Sequence, residues 1–439
     1  SASGRGRWNG SLPVLLKMSM RADGNRILSR LEELYECGKM PDGTHSRVAY
    51  TPQERRGRQL FSEYFRQLGI TVFEDSAGNL IARLEGNDQQ APAIVIGSHL
   101  DTVLDGGRYD GVYGCVGGLE IVQLLTEQKR KLNHPLEIIV FADEEGIRFG
   151  NGMFGSSAFC KASLSELDGQ ERDIYGMTRE EVLKTCGVDL KEAAKAARKK
   201  ESVLCTLELH VEQGGNLDRR GVPIGVVTSI AGVRRYAVSL TGEANHSGST
   251  KMEDRHDALV AAAKVIGGLP DLVRKLGEEF SVGTVGKITA LPGAVNVIPG
   301  RCEFLLEFRD SDEAVMERLA VEFQRRLQTV CDGGGLRMKM EHLSSHVPGK
   351  MNRQIQEEIA KASERQGMPY LRMPSGAFHD SLWLTQRFPS GMIFVPSVDG
   401  ISHSPREYTK QEDLENGVNV LLETVLSLDE KEGIEDEPV

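Results

Sequence analysis

Five short segments carry side chains that bind metal ions or move protons. His99 closes the apolar run Ala93-Ile94-Val95-Ile96 within Gly97-Ser98-His99-Leu100-Asp101-Thr102, which places it at a strand's end. Asp101, two residues on, is positioned to orient that imidazole from behind. Asp110 lies in Gly106-Gly107-Arg108-Tyr109-Asp110-Gly111, where glycines let the backbone turn tightly and present a carboxylate. Taken alone it reads as an ordinary Asp-Gly turn. Asp143, Glu144 and Glu145 follow another apolar run, and three carboxylates there repel one another unless a cation compensates. His210 stands in Leu207-Glu208-Leu209-His210-Val211-Glu212-Gln213-Gly214, and His403 in Ile401-Ser402-His403-Ser404-Pro405. Each segment alone has a bland reading as a core histidine or a surface turn. Together they supply three imidazoles and two carboxylates, borderline ligands that suit zinc, manganese, cobalt or nickel.

The elements around these residues predict an α/β protein. Residues 21–69 carry a helical pattern, with Ile27, Leu28, Leu31 and Leu34 at three- and four-residue spacing. Strand-like runs follow at 70–73, 80–84, 93–97 and 136–142, with a helical stretch near 116–126, and ligands in such sheets sit at the strands' carboxyl ends. Residues 231–345 carry their own strand and helix signals and read as a βαββαβ, ferredoxin-like α+β unit inserted into the first domain. The chain then returns, so residues 21–230 and 346–428 form the two parts of one catalytic domain. Residues 1–20 contain three basic residues and no acid, a composition of organelle-import and vector-derived leaders. Residues 429–439 read as a solvated acidic tail. A chain of 439 residues with net charge −11 repels nucleic acid and anionic membranes, and no apolar run reaches the eighteen or so residues of a membrane span. Seven cysteines without a C-x-x-C pair point to free thiols and a reducing, cytoplasmic setting.

The order and local sequences of these segments resemble the M20 metallopeptidase superfamily, in the amidase branch of N-carbamoyl-L-amino acid, allantoate and ureidoglycolate amidohydrolases. The pieces that carry the resemblance are residues 97–102, 106–111, 143–150, 208–214, 242–246 and 401–405. It implies a zinc-peptidase-like catalytic domain with an inserted dimerisation and lid domain, and two divalent ions per subunit. Asp110 then bridges the ions, which His99, His210, Glu145 and His403 complete, and Glu144 is the general base. His246 implies a hydrogen bond to the developing oxyanion in the other subunit of a homodimer. Gln213, Asn296, Arg309, Gly376 and Ala377 are the implied substrate contacts, with Arg309 gripping the carboxylate of a small anionic ureido acid. Phe378 puts a ring where relatives carry a small residue, which narrows the pocket or reshapes its mouth. The implied reaction is hydrolysis of N-carbamoyl-L-amino acids. Allantoate or ureidoglycolate hydrolysis, N-acyl amino acid hydrolysis and a metal-free scaffold are the alternatives.

Overall fold

The structure, a computed structural model, describes residues 20–161 and 163–435. Most of the leader assigned to residues 1–20, and residues 436–439 of the acidic tail, lie outside the described residues.

Two N-terminal helices, Gly24–Glu36 and Pro52–Gln67, stand where one helical pattern was predicted over 21–69. The interruption has a local cause. Asp23 and Thr51 each cap a new helix start by accepting a backbone amide, and Pro52 occupies the first turn, where its missing N–H costs nothing. Five strands follow: β1 (Val72–Glu74), β2 (Leu80–Leu84), β3 (Ala93–His99), β4 (Leu136–Phe141) and β5 (Val203–Val211). After β6 (Ile224–Ile230) the chain builds β7 (Gly232–Thr241), β8 (Val282–Leu291), β9 (Arg301–Asp310) and β10 (Arg337–His346). It ends with β11 (Gly349–Lys350), β12 (Tyr370–Ser375) and β13 (Ser390–Val395).

The large sheet runs β1-β2-β4-β3-β5-β13-β6-β11, with β12 also paired to β6. Its centre, β4-β3-β5-β13, is parallel, and its strands are buried from end to end. That matches their near-continuous apolar sequences, since helices cover both faces of such a sheet. Helices Val112–Glu127 and Gln411–Leu428 contribute Val116, Leu119, Leu421 and Val425 to the main core. The smaller sheet is antiparallel in the order β10-β7-β9-β8, and helices Ala258–Gly267 and Glu313–Gly334 close an apolar core with it around Phe304, Phe308 and Phe323. The chain leaves the large sheet at Ile230 and re-enters at Gly349, and these two residues are paired neighbours. The smaller unit therefore hangs on two adjacent crossings.

The acidic end begins differently from its solvated reading. Asp429 is buried, its carboxylate accepting the amides of Asn133 and His134, and Ile434 packs on the main core. Those two amides precede β4 and need an acceptor once water is excluded. Another buried carboxylate, Glu120, sits inside helix Val112–Glu127 and binds Arg26 at 2.7 Å, Arg30 at 3.3 Å and the amide of Asp23 at 3.0 Å. It pins the first helix to the one that follows Asp110. Glu120→Ala leaves two partly buried guanidiniums uncompensated and is expected to lower unfolding free energy by about 3 kcal/mol. A urea titration that leaves the midpoint unchanged refutes this role.

Candidate metal centre

His99 is the last residue of β3 and pairs in register with Phe141 at the end of β4. His210 lies one residue from the end of β5, opposite Phe394 of β13. Parallel register thus brings the carboxyl ends of four strands together, and the turn holding Glu144 and Glu145 begins just past β4. Asp110 precedes helix Val112–Glu127, whose N-cap is Gly111 at φ 68°. A Cβ on Gly111 would lie 2.3 Å from the His99 ring, so only glycine lets the Asp110 loop approach. Gln213, Asp143 and His403 also have positive φ without being glycine, and such strain clusters at functional sites.

The five candidate ligands and Glu144 form one cluster. Asp110 Oδ1 is 3.5 Å from His99 Nε2 and 3.2 Å from His210 Nε2, while its Oδ2 is 3.0 Å from His403 Nε2. Glu145 is 3.5 Å from His403 Nε2, and Glu144 is 3.6 Å from His99 Nε2. Two acceptor triads, His99/Asp110/His210 and Asp110/Glu145/His403, share Asp110. Backbone carbonyls fix the rings: His99 Nδ1 donates to Asp101 O at 2.9 Å and His210 Nδ1 to Val211 O at 2.7 Å. Each Nδ1 must carry a proton, because a carbonyl only accepts. Each Nε2 therefore faces carboxylate oxygens with either a second proton or a lone pair. The amide of Gly111 donates to His210 Nε2 at 3.1 Å, which favours the lone pair there. Lone pairs and carboxylates converging in a buried place suit divalent cations, so the donor set fits the expected ions.

Without a cation the cluster needs protons. Burial and the charge of Asp110 push Glu145 up to about 8, and burial pushes Glu144 well above its ordinary value against the pull of His99. The hydrogen bond to Asp110 raises His403 to about 9. For His99 and His210 burial opposes the charge, but the neighbouring carboxylates outweigh it and both are raised. Asp110 is held well below its ordinary value by the three imidazoles, despite its burial.

Several supports carried no legible signal in the sequence. Glu407 accepts the amides of Tyr109 and Asp110 at 2.8 and 3.1 Å and the Ser402 hydroxyl at 2.9 Å, so it holds the Asp110 and His403 loops together. Arg47, fully buried, donates to Leu100 O at 2.6 Å and Leu34 O at 2.7 Å and braces the segment between His99 and Asp101. Glu208, two residues before His210, receives the hydroxyls of Ser98 and Ser381 at 3.0 and 2.6 Å. Asp101 stands behind the His99 ring, with a carboxylate oxygen 3.6 Å from Nδ1. Its carbonyl accepts the Nδ1 proton, and its carboxylate also accepts the amides of Glu144 and Glu145 at 3.2 and 3.0 Å. Asp143 lines a separate cavity of about 340 Å³ with Tyr50, Glu54 and Arg58, outside the acceptor triads.

The expected substrate residues fall in three places. Gln213 donates to Asp110 Oδ2 at 2.7 Å and so stands against the cluster itself. Arg309, on β9 of the smaller sheet, donates to the carbonyl of Gly376 at 3.0 Å, which brings the two sheets together beside Ala377. The same loop carries His379, whose ring packs 4.4 Å from that of His210. His246 and Asn296 lie elsewhere, exposed on one loop pair of the smaller unit, where the Ser247 amide donates to Asn296 O. His246 Nδ1 accepts the amides of Gly248 and Ser249, so the neutral ring carries its proton on the free Nε2.

Gly111→Ala is expected to lose most bound metal and to cut turnover by roughly 100-fold or more, since a displaced ligand loop costs geometry at once. Metal content by plasma mass spectrometry that stays stoichiometric counts against this. The acid–base balance gives a second test. His403 has a folded value above its ordinary 6.5, so its stabilising charge is present below that pH and is lost as pH rises through about 9. Glu145, raised from 4.5 to about 8, holds its proton more tightly folded than unfolded and also loses stability as pH rises through that range. Metal-free protein should therefore melt several degrees lower at pH 9 than at pH 6.5. Metal-loaded protein should not, because cations take the place of those protons. Parallel melting profiles for the two forms contradict this balance.

Known proteins resemble this chain over nearly its whole length. An N-carbamoyl-L-amino acid amidohydrolase of Geobacillus stearothermophilus is 40% identical over 92% of this chain and 98% of its own. An allantoate amidohydrolase of Bacillus subtilis is 34% identical over 92% of this chain and 97% of its own. The crystal structure of a hydantoinase/carbamoylase family amidase from Burkholderia multivorans superposes with a TM-score of 0.87 at 34% identity, covering 93% of this chain and 98% of that one. Residues 95–427 match peptidase family M20/M25/M40, and the chain belongs to that family.

Proposed function

We propose that the chain is a binuclear metal-dependent amidohydrolase that cleaves the ureido C–N bond of N-carbamoyl-L-amino acids, releasing the amino acid, carbon dioxide and ammonia. One observation carries this reading: two acceptor triads share Asp110, and the loop that touches His210 also meets Arg309 at Gly376. Such a site takes cations at one end and a carboxylate at the other. The Geobacillus stearothermophilus relative supports the substrate class.

Divalent zinc, manganese, cobalt or nickel supplies Lewis acidity and lowers the pKa of water. His99, His210, Glu145, His403 and Asp110 would hold the ions, and Gln213 keeps the Asp110 carboxylate in place while Glu407 holds its backbone amide. Glu144 takes the proton of the attacking water at a carboxylate oxygen and passes it to the leaving nitrogen, and the buried setting that raises its affinity for protons suits both steps. Asp101 fixes the Glu144 and Glu145 amides, so the base cannot swing out of line. Arg309 and the backbone at Gly376 and Ala377 orient the substrate carboxylate. The smaller unit acts as a lid and as a dimerisation surface. His246 Nε2 and Asn296 then reach the site of the partner subunit, where an N–H donor stabilises the oxyanion. All seven cysteines are free, which supports a reducing, cytoplasmic setting, and no helix of the described residues is long and apolar enough to cross a membrane.

Allantoate hydrolysis is the second reading, favoured by the Bacillus subtilis relative and served by the same ligands and clamp. A metal-free scaffold is disfavoured, since unpaired buried carboxylates with no cation destabilise the fold that keeps them. Ammonia release by manganese-loaded protein, presented in parallel with N-carbamoyl-L- and D-amino acids, allantoate and ureidoglycolate, decides among these. Turnover of the L-compounds is expected, and preference for allantoate moves the assignment to the second reading. Glu144→Gln should retain metal and lose at least about 100-fold in turnover; activity near that of the parent removes Glu144 from the mechanism.

A further inference from the structure

Arg309 meets an aromatic ring as well as a carbonyl. Its guanidinium carbon lies 5.1 Å from the centroid of Phe378, within the range of a cation–π contact. The ring of His346, at the end of β10, packs edge-on against Phe378 at 5.4 Å and 69°. Phe378 is half-buried and leans on an apolar cluster that includes Met351, Met373 and Leu382. Burial and the charges of Arg235 and Arg309 lower the pKa of His346, so it packs as a neutral ring. Three contacts from both sheets thus hold the Phe378 ring in one place.

The fork of Arg309 is correspondingly fixed. Its Nε donates to Glu307 at 2.6 Å and one Nη1 hydrogen to Gly376 O at 3.0 Å, which leaves the remaining N–H groups for a carboxylate. A carboxylate binds at the edge of a guanidinium, and here the guanidinium lies over the Phe378 ring. An acid gripped by Arg309 is therefore held within reach of Phe378. Along the chain, Phe378 lies between Gly376 and Ala377, proposed for the carboxylate, and His379, which touches His210. The α-substituent branches between those two ends of the substrate.

We propose that Phe378 is a specificity-determining residue, an immobilised apolar plate beside the carboxylate fork that selects ureido acids with an apolar α-substituent over those with a polar one. This rests on the reading of Arg309 and Gly376 as the carboxylate clamp. An apolar substituent gains contact with the ring, whereas an amide or second ureido arm laid on it loses water without finding a hydrogen-bond partner.

N-carbamoyl-L-leucine and N-carbamoyl-L-asparagine branch alike and differ in polarity, so they isolate the effect. Their binding to manganese-loaded Glu144→Gln protein is measured by calorimetry, and kcat/KM for both is measured on the parent. The leucine compound should be favoured at least about tenfold in each measurement, a ratio that a single apolar contact can supply. Phe378→Gly should bring the ratio to within about threefold, while Phe378→Leu, which keeps apolar bulk, should preserve most of it. A ratio near one in the parent, or one that Phe378→Gly leaves unchanged, overturns the inference while the ureido-acid reading stands. Binding of neither compound, with metal present, overturns that reading and the inference with it.

Discussion

Asp110 faces three imidazole nitrogens at 3.0 to 3.5 Å inside a mostly buried cluster that also holds Glu144 and Glu145. Acceptors packed this closely repel one another in a low-dielectric interior unless positive charge joins them. Protons can supply that charge and so can metal ions, and the two compete for the same Nε2 and carboxylate atoms. Most of the surrounding structure makes sense as the means of keeping those atoms in place against their own repulsion.

The bracing is largely electrostatic and is directed at backbone. Asp101 binds the amides of Glu144 and Glu145, Glu407 those of Tyr109 and Asp110, and Glu212 those of Asn216 and Leu217 just beyond His210. Arg47 does the converse, binding the carbonyl of Leu100. Loops that enter a core must satisfy their polar groups there, and charged side chains do so with strong, directed hydrogen bonds. Some of these ties are local and others join segments distant in sequence, as Asp110 is tied to the loop of His403 through Glu407 and Ser402.

The second sheet contributes through the C-terminal ends of β9 and β10. Two adjacent crossings, Ile230 and Gly349, connect it to the large sheet, and Arg309, Phe378 and His346 meet on the side toward the Gly376 loop. Glu307, held between Arg235 and Arg309 at 2.6 Å each, keeps the fork pointed.

The sequence by itself carried the parallel core and the candidate ligands. Apolar runs before His99 and Asp143 announced buried strands, and the residues beyond their ends had to lie at the sheet's carboxyl edge, because strand direction and side-chain period are local properties. The helix break between residues 36 and 52 was missed, although Thr51-Pro52 marks it locally. Strand β12 was illegible for another reason: its pattern is interrupted by Arg372 and Pro374, and pairing with β6 supplies what propensity lacks. Tertiary structure alone decided which carboxylates brace and which converge. Glu407, Glu208 and Asp429 look like any acidic residue in the sequence, and Asp143 looks like Glu144. Only the folded backbone determines which of them meet amides, which meet imidazoles, and that Phe378 lies on Arg309, because those contacts join segments tens to hundreds of residues apart.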